Sequence, residues 1–197
     1  MSLSQWGKPE YNQILLQALK NGGLDKETIA IMARNPAGPA VLEELVKHNT
    51  FSKDEILELL NIYTESTPRA RDDVRLDAAK AVQPLLESPD SDLQIQAIRI
   101  VGSGSWEQRD MAEMLAPKLQ SAEKEVRFEA LKAYHGYLAP DDYKAVLAMI
   151  WDEDETIRRY ALGFTEQFVD GSDRSLLEAA RDHEDELIRK RVAEILN

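Results

Sequence analysis

At 197 residues and 43% apolar composition the chain holds enough hydrophobic material for a core, which excludes global disorder. Its 24 basic and 36 acidic residues give a net charge of −12, and both halves share the sign, which disfavours nucleic acid or an anionic membrane as partner. The lack of cysteine removes disulfides, thiolate zinc sites, iron–sulfur clusters and cysteine nucleophiles together. No stretch approaches the ~18 apolar residues of a membrane helix. No apolar run follows a basic start at the N-terminus either, so a cytoplasmic location is expected.

Apolar residues recur at helical spacing almost throughout, and period-2 alternation is nearly absent. A first helix is predicted from Pro9 to Lys20, stopped by Asn21-Gly22-Gly23. A short helix over Asp25–Arg34 follows, and Pro39 opens another that runs through His48. Ser52 and Glu55 have capping-box spacing ahead of a helix ending near Thr64. The polar run Glu65–Ala70 is the predicted kink or loose joint between two halves. From Asp72 a stripe of Val74, Ala78, Ala81, Val82, Leu85 and Leu86 is interrupted by Pro84, which should bend or break the helix. Helices are then expected over Leu93–Val101, Trp106–Gln120 and, approximately, 124–137, 140–151, 154–168, 173–181 and 185–196.

An internal repeat underlies this rhythm. The steps Asp92-Leu93, Glu125-Val126, Glu155-Thr156-Ile157 and Glu186-Leu187-Ile188 fall in register, with anchors at 93, 126, 157 and 188 spaced by 33, 31 and 31 residues. Four residues after each anchor stand Ala97, Ala130, Ala161 and Val192, small enough for close helix approach. Paired helices at such a period make a solenoid, because one pair cannot bury its apolar face alone. The fold class expected is all-α, a right-handed α-solenoid of about six antiparallel helix pairs. Residues 1–66 would form divergent N-terminal helical repeats, continuous with the better repeats of 67–197.

The pattern LL-x-(S/D)-P-D-x-(D/E)-(V/I)-R-x-x-A, in Leu85–Val101, Lys118–Tyr134, Met149–Phe164 and Ala179–Leu196, resembles the HEAT repeat, including its phycobilin-lyase-type members. Ala33-Arg34-Asn35-Pro36 through Leu45 is weakly similar to a leucine-rich-repeat variant, without the cysteine cluster of that family's iron–sulfur member. The HEAT resemblance implies a structural ladder in which the arginine after each anchor pairs with the acid of the preceding turn. Arg127, Arg158 and Arg189 match, with Glu123, Asp152, Asp154 and Asp185 as partners; Gln94 breaks the pattern, so the ladder would start one repeat later. It also implies that the second helices line the concave side. The outward columns there are Gln96, Glu129, Tyr160, Arg191 and Arg99, Lys132, Gly163, Glu194, mixed in sign. Gln96, Arg99, Glu129, Lys132, Arg159, Tyr160 and Arg191 are the candidate partner-binding residues.

No catalytic, cofactor-binding or metal-ligating set emerges. His48, His135 and His183 lie in different repeats, and Asp152-Glu153-Asp154-Glu155 lacks the loop length and central glycine of an EF-hand. No phosphate loop, nucleophile elbow or H-E-x-x-H pair occurs. Trp106 with Asp110 resembles the aromatic and acid of HEAT-like alkyl-purine DNA glycosylases, whose basic groove this charge cannot supply. Trp151 and Trp6 are expected in core packing or over exposed apolar edges. The function expected is a non-catalytic scaffold that binds a partner protein, as a monomer and without cofactor. The alternatives are a phycobilin-lyase-like enzyme or subunit, and a structural assembly subunit.

Overall fold

A computed structural model of the chain describes residues 14, 17–18, 21, 25–47, 51–103, 109–134, 143–165 and 174–196. The described residues form eleven α-helices and no strand. These are α1 (Lys26–Ala33), α2 (Ala37–Lys47), α3 (Lys53–Ser66), α4 (Asp72–Val82), α5 (Ser91–Val101), α6 (Arg109–Leu115), α7 (Lys124–Tyr134), α8 (Tyr143–Ala148), α9 (Glu155–Thr165), α10 (Arg174–Ala179) and α11 (Glu186–Leu196). Most of the expected helix over 9–20, together with Trp6, Trp106, His48 and His135, lies outside the described residues.

Local chemistry sets the ends. Asp25 caps α1 by accepting the Thr28 N–H at 2.7 Å. The predicted capping box opens α3: Ser52 accepts the Glu55 N–H while the Glu55 carboxylate accepts the Ser52 N–H. Pro84 does break the first helix of its pair: α4 stops at Val82 and the chain continues as a 3₁₀ turn, Gln83–Glu87. A 3₁₀ turn also follows α6, α8 and α10, as Ala116–Gln120, Met149–Trp151 and Ala180–Asp182, the first with a proline and the other two without. Within the expected helices over 140–151 and 173–181, the described residues therefore form an α-helical stretch finished by a tighter turn. That tightening steers the chain into the turn before the second helix.

The helices stack in a solenoid. α1, α3, α5, α7 and α9 pack side by side, α2 packs on α4, and α4–α5, α6–α7, α8–α9 and α10–α11 pair as hairpins. Anchors Val126, Ile157 and Ile188 are fully buried, as are Ala97, Ala130, Ala161 and Val192 four residues on. One apolar core runs from Ile29 to Leu196. Each repeat contributes a slice of it, so burial depends on neighbouring repeats.

The polar run at 65–70 is a packed connector and not a loose joint. Helix α3 extends through Ser66, Thr67–Arg69 is a 3₁₀ turn, and Ser66, Thr67 and Ala70 are buried. The Thr67 hydroxyl donates to the Tyr63 carbonyl at 2.6 Å, which satisfies the buried oxygen locally. Tyr63, also buried, donates to the Gly38 carbonyl at 2.9 Å and ties α3 to the start of α2.

Candidate functional site

Two surfaces are built by the repeat: the turn edge, where first helices hand over to second helices, and the outward side of the second helices.

On the turn edge, Ser88, Ser121, Asp152 and His183 occupy equivalent positions with nearly identical backbone, φ near −60° and ψ between 141° and 146°. Each accepts the backbone N–H two residues on: Ser88 from Asp90, Ser121 from Glu123, Asp152 from Asp154, and His183 through Nδ1 from Asp185. Four residue types thus do one job, and sequence reasoning missed the column because it shares no chemistry beyond a short-range acceptor. Two residues further, Asp90, Asp154 and Asp185 cap α5, α9 and α11.

The arginines run forward along the stack. Arg127 spans two turns: its Nη1 donates to the carbonyls of Ser121 and Ala122 in its own turn, at 2.9 and 3.1 Å. Its Nε and Nη2 reach Asp152 in the next turn, at 2.8 and 3.0 Å, and Nη2 also meets Glu153 at 3.0 Å. The partner is therefore the acid of the following turn, not Glu123 of the preceding one. The reason is reach: the guanidinium folds over its own carbonyls and its fork faces the neighbouring repeat. Arg158 repeats the pattern, on the Asp152 and Glu153 carbonyls at 2.9 Å and near Asp185 at 3.6 Å. Arg189 holds the His183 and Glu184 carbonyls. Gln94, which departs from the arginine pattern, still bonds the Ser88 carbonyl; it lacks the length to reach forward. Asp154 is not an arginine partner but pairs with Lys124 at 2.7 Å, just as Lys53 reaches Asp90 at 2.6 Å.

On the second-helix side the candidate residues separate. Gln96, expected outward, is buried, because α3 packs over it and Thr64 donates to its Oε1 at 3.2 Å. Arg99, Glu129 and Lys132 form one cluster across α5 and α7: Glu129 accepts from Arg99 at 3.2 Å and from Lys132 at 2.7 Å. Tyr160 stands edge-on between Phe128 and Phe164, with centroids 5.3 and 4.6 Å away, and the Lys132 ammonium lies 5.0 Å from the Phe128 ring. Arg159 is exposed and paired with Glu155 in its own helix; Arg191 is exposed and paired with Glu194. The structure thus brings together Arg99, Glu129, Lys132 and Tyr160, and leaves Arg159 and Arg191 outside that cluster.

Electrostatics follow from these contacts. Burial pushes the Glu129 carboxyl up, but hydrogen bonds from Arg99 and Lys132 outweigh it and hold the group below its ordinary value. The Lys124 ammonium, helped by backbone N–H groups, holds Asp154 low, and Lys53 does the same for Asp90. Burial and the nearby Glu129 carboxylate push the Tyr160 phenol up. A carboxyl depressed in the folded state stabilises the fold above the unfolded value and loses that contribution as pH falls through the folded one. Glu129→Gln should therefore cost about 1 kcal/mol at pH 7. The gap from the parent should narrow as pH falls below the ordinary glutamate value of about 4.3, in urea unfolding followed by far-UV circular dichroism. A gap that stays constant as the pH is lowered would contradict the ion-pair account.

Among the described residues no cluster of three or more histidine, aspartate or glutamate side chains could hold a metal ion, and no helix is long and apolar enough to cross a membrane.

No protein-family model matches the sequence, and no curated protein matches it. Solved structures do resemble it. A designed armadillo repeat protein in complex with the peptide (KR)4 aligns at 16% identity and TM-score 0.58, over 98% of this chain and 97% of that one. An archaeal HEAT-like repeats protein from Thermococcus onnurineus NA1 aligns at 13% identity and TM-score 0.54, over 96% and 97%. A computationally designed armadillo repeat protein for modular peptide recognition aligns at 14% identity and TM-score 0.58, over 96% and 93%. The chain has the all-α solenoid fold of HEAT-like and armadillo helical-repeat proteins.

Proposed function

We propose that the chain is a non-catalytic scaffold whose second-helix side, the concave side in HEAT-like stacks, binds a partner polypeptide at the cluster of Arg99, Glu129, Lys132 and Tyr160. The observation that carries this reading is Gly163. It lies inside α9 on the outward column, and a Cβ there would meet nothing within 4 Å. A glycine in the last described turn of a helix costs up to about 1 kcal/mol against alanine, and no packing need explains it. An open notch beside the half-buried rings of Tyr160 and Phe164 leaves room for another chain's backbone to approach. The complex of a designed armadillo repeat protein with the peptide (KR)4 supports the same use of the fold.

The test is Gly163→Gln. The added side chain points into open space, so stability should hold or rise, while partner recovery by the tagged full chain from its native cells should fall about tenfold or more. Tyr160→Ala and Lys132→Glu, checked for folding by circular dichroism, should lose the same proteins. Undiminished recovery with all three variants would refute binding on this side.

A further inference from the structure

The turn edge carries a second surface that the second-helix reading does not use. Trp151 ends the 3₁₀ turn after α8 and is 51% exposed, unlike the buried Met149 and Ile150 before it. Its indole packs against the His183 ring at a tilt of 42°, with centroids 4.5 Å apart. His183 is itself clamped: Nδ1 accepts from the Asp185 N–H at 2.9 Å, so the other nitrogen, Nε2, donates to the Ile150 carbonyl at 3.0 Å. The indole is thus held by a fixed ring and presents its remaining surface to solvent. A preorganised aromatic of this kind loses little entropy on binding.

Beside it lies a cleft of about 270 Å³, lined by Trp151, Leu119, Met149, Gln120, Arg127 and Glu153 among others. That is just under the ~300–1,000 Å³ of small-molecule pockets and suits one long side chain. Its charge selects the occupant. The Arg127 guanidinium is already shared among Asp152, Glu153 and two carbonyls, so it does not call for an anion. Glu153 stands at the cleft with its side chain 81% exposed, and the exposed acids Glu123 and Glu125 flank Lys124, whose ammonium is engaged by Asp154.

We infer that this cleft receives a lysine or arginine side chain of a partner polypeptide, its stem along the exposed face of Trp151 and its cationic head at Glu153. An aliphatic stem with a cationic tip fits such a lining, and tryptophan is the strongest cation–π acceptor among side chains. The inference stands independently of the second-helix reading, since the two surfaces share no residue.

The probe is the peptide (Lys-Arg)4, titrated into the full chain with ¹⁵N-labelled indoles, with Trp151→Phe assigning the Trp151 signal. That signal should shift saturably. Trp151→Leu should weaken binding about 5- to 30-fold. Glu153→Gln, at an exposed position that leaves the fold intact, should weaken it about 3-fold. A peptide of equal length with citrulline and acetyl-lysine should not bind. Unchanged affinity for Trp151→Leu and Glu153→Gln, or equal binding of the neutral peptide, overturns the inference. So does loss of the Trp151 shift in Gly163→Gln, which would place the peptide on the second-helix side.

Discussion

Arg127→Gln is expected to lower unfolding stability by about 3 kcal/mol, the low end for removing one partner of a buried ion pair. The Arg127 and Asp152 side chains are only 9% and 6% exposed, so the carboxylate left behind is poorly reached by water. Glutamine can keep one own-turn carbonyl, as Gln94 keeps Ser88, but cannot reach Asp152. The upstream repeat suggests the compensating change. There Gln94 faces a turn that begins with Ser121, and Ser121 still accepts the Glu123 N–H at 3.2 Å. Arg127→Gln with Asp152→Ser copies that junction, removing the orphaned charge while keeping the turn. The double variant should recover at least half of the single variant's loss in a urea-unfolding cycle. Strictly additive losses would show that Arg127 acts through its own-turn carbonyls alone.

Gly38→Ala should be almost as damaging, at about 2–3 kcal/mol. A Cβ at Gly38 would fall 2.5 Å from the Met32 carbonyl oxygen and 2.8 Å from the Ala33 Cα. Both are backbone atoms, so α2 would have to move away from α1. The Gly38 carbonyl also accepts the buried Tyr63 hydroxyl, and any shift strains that bond. Gly163→Ala, in open space, should instead stabilise by about 0.5–1 kcal/mol. Thermal unfolding of the pair should move in opposite directions, by roughly 2–4 °C per kcal/mol in a chain of this size. Destabilisation by Gly163→Ala would mean that α9 needs its glycine for the fold, which would remove the argument for an open binding notch.

These contrasts show where the sequence sufficed. Helical periodicity, the 33- and 31-residue spacing and the small column Ala97, Ala130, Ala161 and Val192 determined an all-α stack, because local patterning fixes which face of each helix must be buried. The Ser52–Glu55 box and the break at Pro84 were legible because their causes lie within a few residues. Contacts between repeats were not. Gln96 occupies an outward register position yet is covered by α3, and the arginines face the following turn, since register along the stack depends on how far each repeat translates past the last. The equivalence of Ser88, Ser121, Asp152 and His183 emerges only from their shared backbone geometry. Packing also distinguished Gly38, pressed against another helix, from Gly163, open to solvent; a glycine's neighbours in space are set by the tertiary fold, not by its neighbours in sequence.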